Sequence, residues 1–287
     1  MSTIAIKGIC KDYGTTRALD NIDLEIEPDK IYGLLGRNGA GKTTLLNLIT
    51  NRIFPTAGEI AIDGESVVEN DRALSKVFYM TEANLYPPGL RVREVLGWSK
   101  EFYPGFDMPY ALWLCEQFGL KTGKRVKELS TGYGSIMKAI VALASNAPIV
   151  VFDEPVLGLD ANHRQMFYRA LIANYSQHPK TIIISSHLIE EIAEVLEEVI
   201  IIKDGSIVLK QSVEELLGQA YTVSGEAAQV DSYLAGRKFA GGEELGKFKA
   251  VTVLGVLTEG DRALAQKLDV ELSRVELQKL FISLTNS

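Results

Sequence analysis

The chain has 287 residues, 46% apolar and 23% charged, with 30 Lys and Arg against 37 Asp and Glu for a formal charge of −7. This composition excludes a disordered chain, because there is enough apolar side chain to build a core, and the length suggests one or two domains. No segment reaches the roughly 18 uninterrupted apolar residues of a spanning helix, and the acidic balance argues against nucleic acid as a partner.

The opening segment MSTIAIKGIC has no charged region followed by a long apolar one, so no signal peptide is expected. Ile4, Ile6 and Ile9 alternate loosely and Ile22, Leu24 and Ile26 strictly, which predicts short strands. Ile31 to Leu35 predicts a buried strand that runs into a glycine-rich loop. Leu45, Leu46, Leu48 and Ile49 give Thr43 to Thr50 helical spacing, and Pro55, Gly58 and Gly64 punctuate more short strands up to Met80. From about Asn84 the texture turns helical. Arg91 to Tyr103 offers Val95, Leu96 and Trp98 to a core, and Pro109 to Phe118 offers Leu112, Leu114 and Phe118. Ile136 to Ala144 predicts a further helix, ended by Asn146-Ala147-Pro148. Beyond it lie a strand from Ile149 to Phe152, a helix from Asn162 to Tyr175, a strand from Thr181 to Ser186 and a helix from Leu188 to Leu196. Val199 to Lys203 and Ser206 to Leu209 form an expected hairpin about Asp204-Gly205. Strands alternating with helices imply a mostly parallel sheet. After about Gln211 the pattern loosens into a small α+β appendage, with a strand expected from Ala250 to Leu257 and a helix from Arg274 to Leu284 capped by Ser273. Cys10 and Cys115 make no disulfide framework and are read as reduced packing residues of a cytosolic protein.

Gly36-Arg37-Asn38-Gly39-Ala40-Gly41-Lys42-Thr43 fits G-x-x-x-x-G-K-[ST], with a strand before it and a helix after it. Glycines let successive N–H groups turn inward onto phosphate oxygens, and the following helix aims its positive end at the same anion. Asn38, Gly39, Ala40, Gly41 and Thr44 are therefore expected around the phosphates. Lys42 is expected to reach the β- and γ-phosphates, and Thr43 to give a hydroxyl to Mg²⁺.

A second site supports the first. Ile149 to Phe152 is an apolar strand that ends in Asp153 and Glu154, and parallel-sheet proteins place ligands at the carboxyl ends of strands. Asp153 suits a metal held through water. Glu154 suits a base that orients and deprotonates an attacking water.

With these sites in hand, the sequence resembles the ATP-binding subunit of ABC transporters over roughly residues 1–212. Lys11-Asp12-Tyr13-Gly14 looks like the loop whose ring stacks on adenine. Leu129-Ser130-Thr131-Gly132-Tyr133 looks like the family signature, usually LSGGQ. Leu157-Gly158-Leu159-Asp160 resembles the D-loop, and Ile184-Ser185-Ser186-His187 the switch histidine at a strand end. The resemblance implies a P-loop ABC ATPase fold of the α/β class, with an N-terminal antiparallel β subdomain and a mostly parallel core sheet. It also implies a helical subdomain over about 84–146 and leaves 213–287 as the accessory region. ATP and Mg²⁺ are the implied cofactors. Tyr13 is assigned to adenine, His187 to the γ-phosphate, and Ser130, Gly132 and Asp160 to the nucleotide site formed with a second subunit in a head-to-tail dimer, with a homodimer expected.

Two departures stand out. The signature has Thr131 for a glycine and Tyr133 for a glutamine, and the Q-loop position of Val77 to Glu82 carries Glu82 where glutamine is usual. Glu82 is expected at the metal, as a harder ligand than an amide, with either a tighter hold or a slower gating step as the consequence. A membrane permease subunit is expected to contact about residues 82–110, where Leu85, Tyr86, Pro87, Pro88, Leu90 and Trp98 offer apolar anchors. That places the chain at the cytoplasmic face of the cell membrane. The segment Val270 to Leu284 resembles the C-terminal piece of bacterial exporter subunits for antibiotics and antimicrobial peptides, which favours an exporter of drugs, peptides or lipophilic compounds. The alternatives are a soluble ATPase of the same type without a membrane partner and an ATP-binding regulatory module with little turnover.

Overall fold

The computed structural model describes residues 2–286. The chain forms two compact units, one running through His187 with Ile202–Val208 and the other made of Leu188–Ile201 and the chain from Leu209 on.

The first unit opens with β1 (Ile4–Tyr13) and β2 (Thr16–Ile26), crosses as β3 (Ile31–Leu35) into α1 (Lys42–Ile49), and returns as β4 (Ala57–Ile62) and β5 (Glu65–Ser66). β1, β2, β4 and β5 make an antiparallel sheet in the order β2-β1-β4-β5. Its register sets Ile4 opposite Ile26 and Ile62, and Ile6 opposite Leu24 and Ile60, so the alternating isoleucines share one buried face.

After α2 (Asp71–Leu74), β6 (Val77–Met80) enters the central sheet. α3 (Val92–Phe102), α4 (Met108–Gln117) and α5 (Thr131–Ala144) lead to β7 (Ile149–Asp153), and α6 (Ala161–Gln177) leads to β8 (Thr181–Ser185). β3, β8, β7 and β6 run parallel, with Ile31 opposite Ile182, Ile149 opposite Thr181 and Val77 opposite Ile149. Every residue of β3, β7 and β8 is buried, as expected of parallel strands covered on both faces. The parallel register gathers the carboxyl ends of these strands, and the loops that leave them, at one edge of the sheet.

Three local expectations for the helical region are corrected. α3 buries Val92, Val95, Leu96 and Ser99, and Trp98 is 50% exposed. At about 100° per residue, Trp98 falls more than a quarter turn from that stripe. Leu112 is 47% exposed for the same reason, beside a stripe of Ala111, Leu114, Cys115 and Phe118. α5 begins at Thr131 rather than Ile136, because Ser130 caps it by accepting from Tyr133 N at 3.3 Å. Two glycines at its start hide that helix from propensity.

The second unit has more regular structure than its loose pattern predicts. It holds α7 (Ile189–Ile192), parts of β9 (Glu198–Lys203) and β10 (Ser206–Ser212), α8 (Val213–Gly218), β11 (Ala220–Glu226), α9 (Ala227–Leu234), β12 (Phe239–Leu245), β13 (Phe248–Leu254), α10 (Glu259–Leu268), β14 (Glu271–Arg274) and α11 (Leu277–Asn286). Its sheet has the order β12-β13-β11-β14, and Tyr221, Val223, Val251 and Val253 meet Val230, Tyr233 and Ala265 in a core. Ser273 is not a cap. It lies in β14 opposite Thr222, and the following helix starts at Leu277, because pairing with β11 holds this segment extended. The helix expected from Leu188 to Leu196 shortens to Ile189–Ile192, and the strand expected from Ala250 to Leu257 lies at Phe248–Leu254.

Candidate active site

The phosphate loop joins β3 to α1. Gly41 has φ +109°, and a Cβ there would stand 2.7 Å from Leu19 and 2.8 Å from the carbonyl of Ala18, so only glycine fits. Lys42 is buried beneath the loop, where its Nζ donates to the carbonyls of Gly36 at 2.7 Å and Arg37 at 3.3 Å. Burial lowers its pKa, while the charges of Glu154 and Asp153 act the other way. Gly41 caps α1 without a side chain, so the first amides of the helix and the ammonium together offer positive charge to an anion. Asn38, Gly39 and Thr43 are open to solvent at this loop, Thr44 is half-buried, and Ala40 is buried against it.

Asp153 ends β7 and receives two hydroxyls on Oδ2: Thr43 Oγ1 at 3.1 Å and Tyr79 OH at 3.2 Å. A hydroxyl and a carboxylate beside a phosphate loop are hard oxygen donors of the kind Mg²⁺ takes together with phosphate and water. The residues present therefore fit that ion.

Glu154 takes a left-handed backbone at φ +51°, rare for a residue with a Cβ. Its amide donates to Ser185 O at 2.9 Å. Its Oε2 lies 2.9 Å from His187 Nδ1 and accepts from Ser186 Oγ at 3.5 Å. The ends of β7 and β8 thus bring Glu154 and His187 together.

Ser130 and Gly132 lie at the start of α5, and Asp160 lies at the start of α6. A Cβ on Gly132 would stand 2.6 Å from the carbonyl of Gly158, so the signature helix packs directly on the turn before α6. Ser135 Oγ adds a bond to Leu157 O at 3.0 Å. Asp160 caps α6, accepting from His163 N at 2.9 Å and contacting His163 Nδ1 at 3.0 Å; the amide of His163 is the main cause that lowers the Asp160 pKa. Tyr133 meets the His163 ring edge-on at 5.9 Å, so the tyrosine in place of the usual glutamine ties α5 to α6. Tyr13 stands apart at the end of β1, 50% exposed, with Lys11 Nζ 5.1 Å above its ring.

The side chain of Glu82, expected at the metal, is exposed in this structure. The β6 side chain that touches Asp153 is Tyr79. Glu82 lies exposed beyond the end of β6, and its main-chain carbonyl, with that of Thr81, accepts from the buried Lys138 ammonium. Burial also lowers the pKa of Lys138.

The ABC transporter family profile matches residues 19–157. Over 213 residues the chain is 29% identical to the ABC transporter ATP-binding protein YtrB of Bacillus subtilis (strain 168), spanning 74% of this chain and 73% of that one. It is 31% identical over 209 residues to the ABC transporter ATP-binding protein NatA of the same organism, spanning 70% and 84%. The chain belongs to the ABC transporter ATP-binding proteins. It is 30% identical over 216 residues to the bacitracin transport ATP-binding protein BcrA of Enterococcus faecalis, spanning 74% and 70%. Among solved structures, the dimeric bacterial ABC transporter cassette MJ0796 superposes with a TM-score of 0.65 at 26% identity, over 73% of this chain and 98% of that one. The same cassette also has a dimeric post-hydrolysis structure bound to ADP and Pi. ABC ATP-binding domains bind ATP with Mg²⁺, hydrolyse it and work as dimers beside permease subunits, so this chain is an ATPase and the ATP-binding subunit of an ABC transporter.

Beside β6 the ABC fold opens a groove of about 480 Å³, lined by Arg52, Tyr79, Leu85, Tyr86, Trp98 and Phe102 among others. Phe102 is 77% exposed, and with Leu85 and Trp98 it leaves an apolar rim. Reading the sequence missed Tyr79, His163 and Lys138. The available signal was a polar group inside an apolar pattern, since the hydroxyl of a half-buried tyrosine needs a partner.

Proposed function

We propose that two copies of this chain bind two ATP molecules head to tail and drive a separate membrane permease seated in the groove beside β6. The observation that carries the catalytic part is the Glu154–His187 contact at 2.9 Å, beside the Thr43–Asp153 pair at 3.1 Å. Glu154 is the base that takes the proton of the attacking water. His187 holds that carboxylate in place and faces the γ-phosphate. Lys42 and the amides of Asn38, Gly39, Ala40, Gly41 and Thr44 bind the phosphate oxygens, and Tyr13 stacks on adenine. Thr43 and Asp153 hold Mg²⁺, which spreads the phosphate charge when bound. Ser130 and Gly132 offer the start of α5 to the nucleotide of the opposite copy, and Asp160 lies on the same interface.

The proposed permease contact would hold this subunit at the cytoplasmic face of the membrane; among the described residues no helix is long and apolar enough to cross it. Export is the proposed direction, of drugs, peptides or lipophilic compounds. It is motivated by the likeness of Val270 to Leu284 to exporter subunits and by the match to the bacitracin transport protein, although a ribose import protein of Lactococcus lactis matches the same 74% of this chain at 29% identity. Glu154→Gln tests the reading. Turnover is expected to nearly vanish while ATP-dependent dimers accumulate in light scattering. Undiminished turnover removes Glu154 from its role.

A further inference from the structure

Asp153 has a neighbour that no motif assigns. Tyr79 sits on β6 opposite Val151 of β7, and its ring lies under the Arg52 guanidinium at 5.1 Å. Arg52 follows α1, the helix that carries Thr43. Thr43 and Tyr79 converge on one oxygen of Asp153, at 3.1 and 3.2 Å. The contacts therefore close a ring through α1, β7 and β6. A carboxylate held by one hydroxyl keeps freedom to turn about its terminal bond. A second donor on the same oxygen, from a different element, restrains that turn, and bonds of this kind to a charged acceptor are among the stronger ones.

The hydroxyl is not explained by packing. A phenylalanine would fill the same half-buried slot and still lie under Arg52. An unbonded phenol there would cost free energy, so the bond to Asp153 is what makes tyrosine tolerable at this position.

We infer that Tyr79 is a positioning residue of the ATPase site, holding Asp153 in the orientation that receives the divalent cation. This rests on the reading of Thr43 and Asp153 as the Mg²⁺ site. Partners that orient a ligating carboxylate act on metal affinity, with losses of about 10- to 100-fold when they are removed. Tyr79 also lines the groove proposed for the permease, so it is a side chain of that groove in direct contact with the cation site.

The test uses the purified full chain with Mn²⁺ as the probe and a non-hydrolysable ATP analogue. Mn²⁺ affinity is read by electron paramagnetic resonance for the unmutated chain, Tyr79→Phe, Asp153→Asn and the double variant. Binding of the analogue in EDTA is read alongside. Tyr79→Phe is expected to weaken Mn²⁺ about tenfold and to leave metal-free binding within about twofold. The double variant is expected to match Asp153→Asn, because Tyr79 acts through that carboxylate. In turnover assays, excess Mg²⁺ is expected to restore much of the kcat lost in Tyr79→Phe. Unchanged Mn²⁺ affinity in Tyr79→Phe, with a loss in Asp153→Asn, overturns the inference alone. Additive losses in the double variant, or an equal loss of metal-free binding, overturn it as well. Unchanged affinity in Asp153→Asn overturns the metal-site reading itself, and the inference with it.

Discussion

His187 Nδ1 meets Glu154 Oε2 at 2.9 Å, and Glu154 takes up that position from a left-handed backbone with φ +51°. The twisted backbone turns the glutamate out of the line of β7, whose last residue, Asp153, is committed to Thr43 and Tyr79. Adjacent carboxylates thus have separate partners. Removing a base usually lowers turnover by about 100- to 10,000-fold, so with Glu154 as the proposed base Glu154→Gln is expected in that range. His187→Ala removes a contact that orients the base and is expected to lose about tenfold or more in kcat, with ATP affinity nearly unchanged. Single-turnover hydrolysis beside equilibrium ATP binding checks both values. A His187→Ala chain that turns over normally would contradict the role given to the contact.

Lys180 predicts a pH effect on stability. It is buried, and burial lowers its pKa from 10.5 to about 8, with Asn146 Oδ1 accepting from its ammonium at 3.3 Å. Below about pH 8 the group is charged in both folded and unfolded chains, so the desolvation cost is fully present. Between that pH and the ordinary lysine value the folded chain has lost the proton and the unfolded chain keeps it, so stability rises with pH. Lys180→Met keeps the aliphatic stem and removes the charge. It is expected to stabilise the chain by up to about 3 kcal/mol at neutral pH, with the gain shrinking as pH rises above 8. Urea denaturation across that range measures it.

The phosphate loop, the paired acids after β7 and the order of the strands were legible because each depends on neighbours in sequence. Gly41, Lys42 and Thr43 do their work within one turn, and Ile149 to Phe152 announces a covered strand by composition alone. What stayed hidden depends on contacts between distant segments. Tyr79 and Asp153 are 74 positions apart, and nothing local to β6 marks its tyrosine as a partner of β7. Ser273 carried a good cap signal, yet pairing with Thr222 kept it in a strand. Trp98 was apolar and near the right spacing, but helix geometry turned it to the groove. In each case a tertiary contact or a small angular offset outweighed a valid local preference.

The rim of the groove is where a permease contact should register. Phe102 is mostly and Trp98 half open to solvent, so charging them removes little from the core, and surface changes of this sort typically move stability by less than about 0.5 kcal/mol. Trp98→Glu with Phe102→Glu is expected to leave the melting temperature nearly unchanged and to abolish co-purification with the membrane subunit. Tyr86 is a poorer probe, because burial pushes its phenol well above the ordinary range and a charge there would disturb packing. Normal assembly in the doubly charged variant would move the docking surface elsewhere.

On the proposed head-to-tail dimer, a substitution at Gly132 is expected to separate nucleotide binding from dimer closure. Its missing side chain lets α5 sit on Gly158, where a Cβ would stand 2.6 Å from the carbonyl oxygen. Backbone on both sides leaves no flexible group to give way. Gly132→Ala must therefore shift the start of α5 away from the turn that leads to Asp160 and the His163 contact. Strain of this kind commonly costs about 1–3 kcal/mol. The phosphate loop lies on another element, so ATP affinity of the single chain should hold. The displaced Ser130 cap should present the start of α5 poorly to the opposite copy, and ATP-dependent dimers in light scattering should fall sharply, with turnover falling in parallel. Intact dimerisation, despite a lowered melting temperature, would show that the Gly132–Gly158 contact supports the fold without shaping the surface that meets the second ATP.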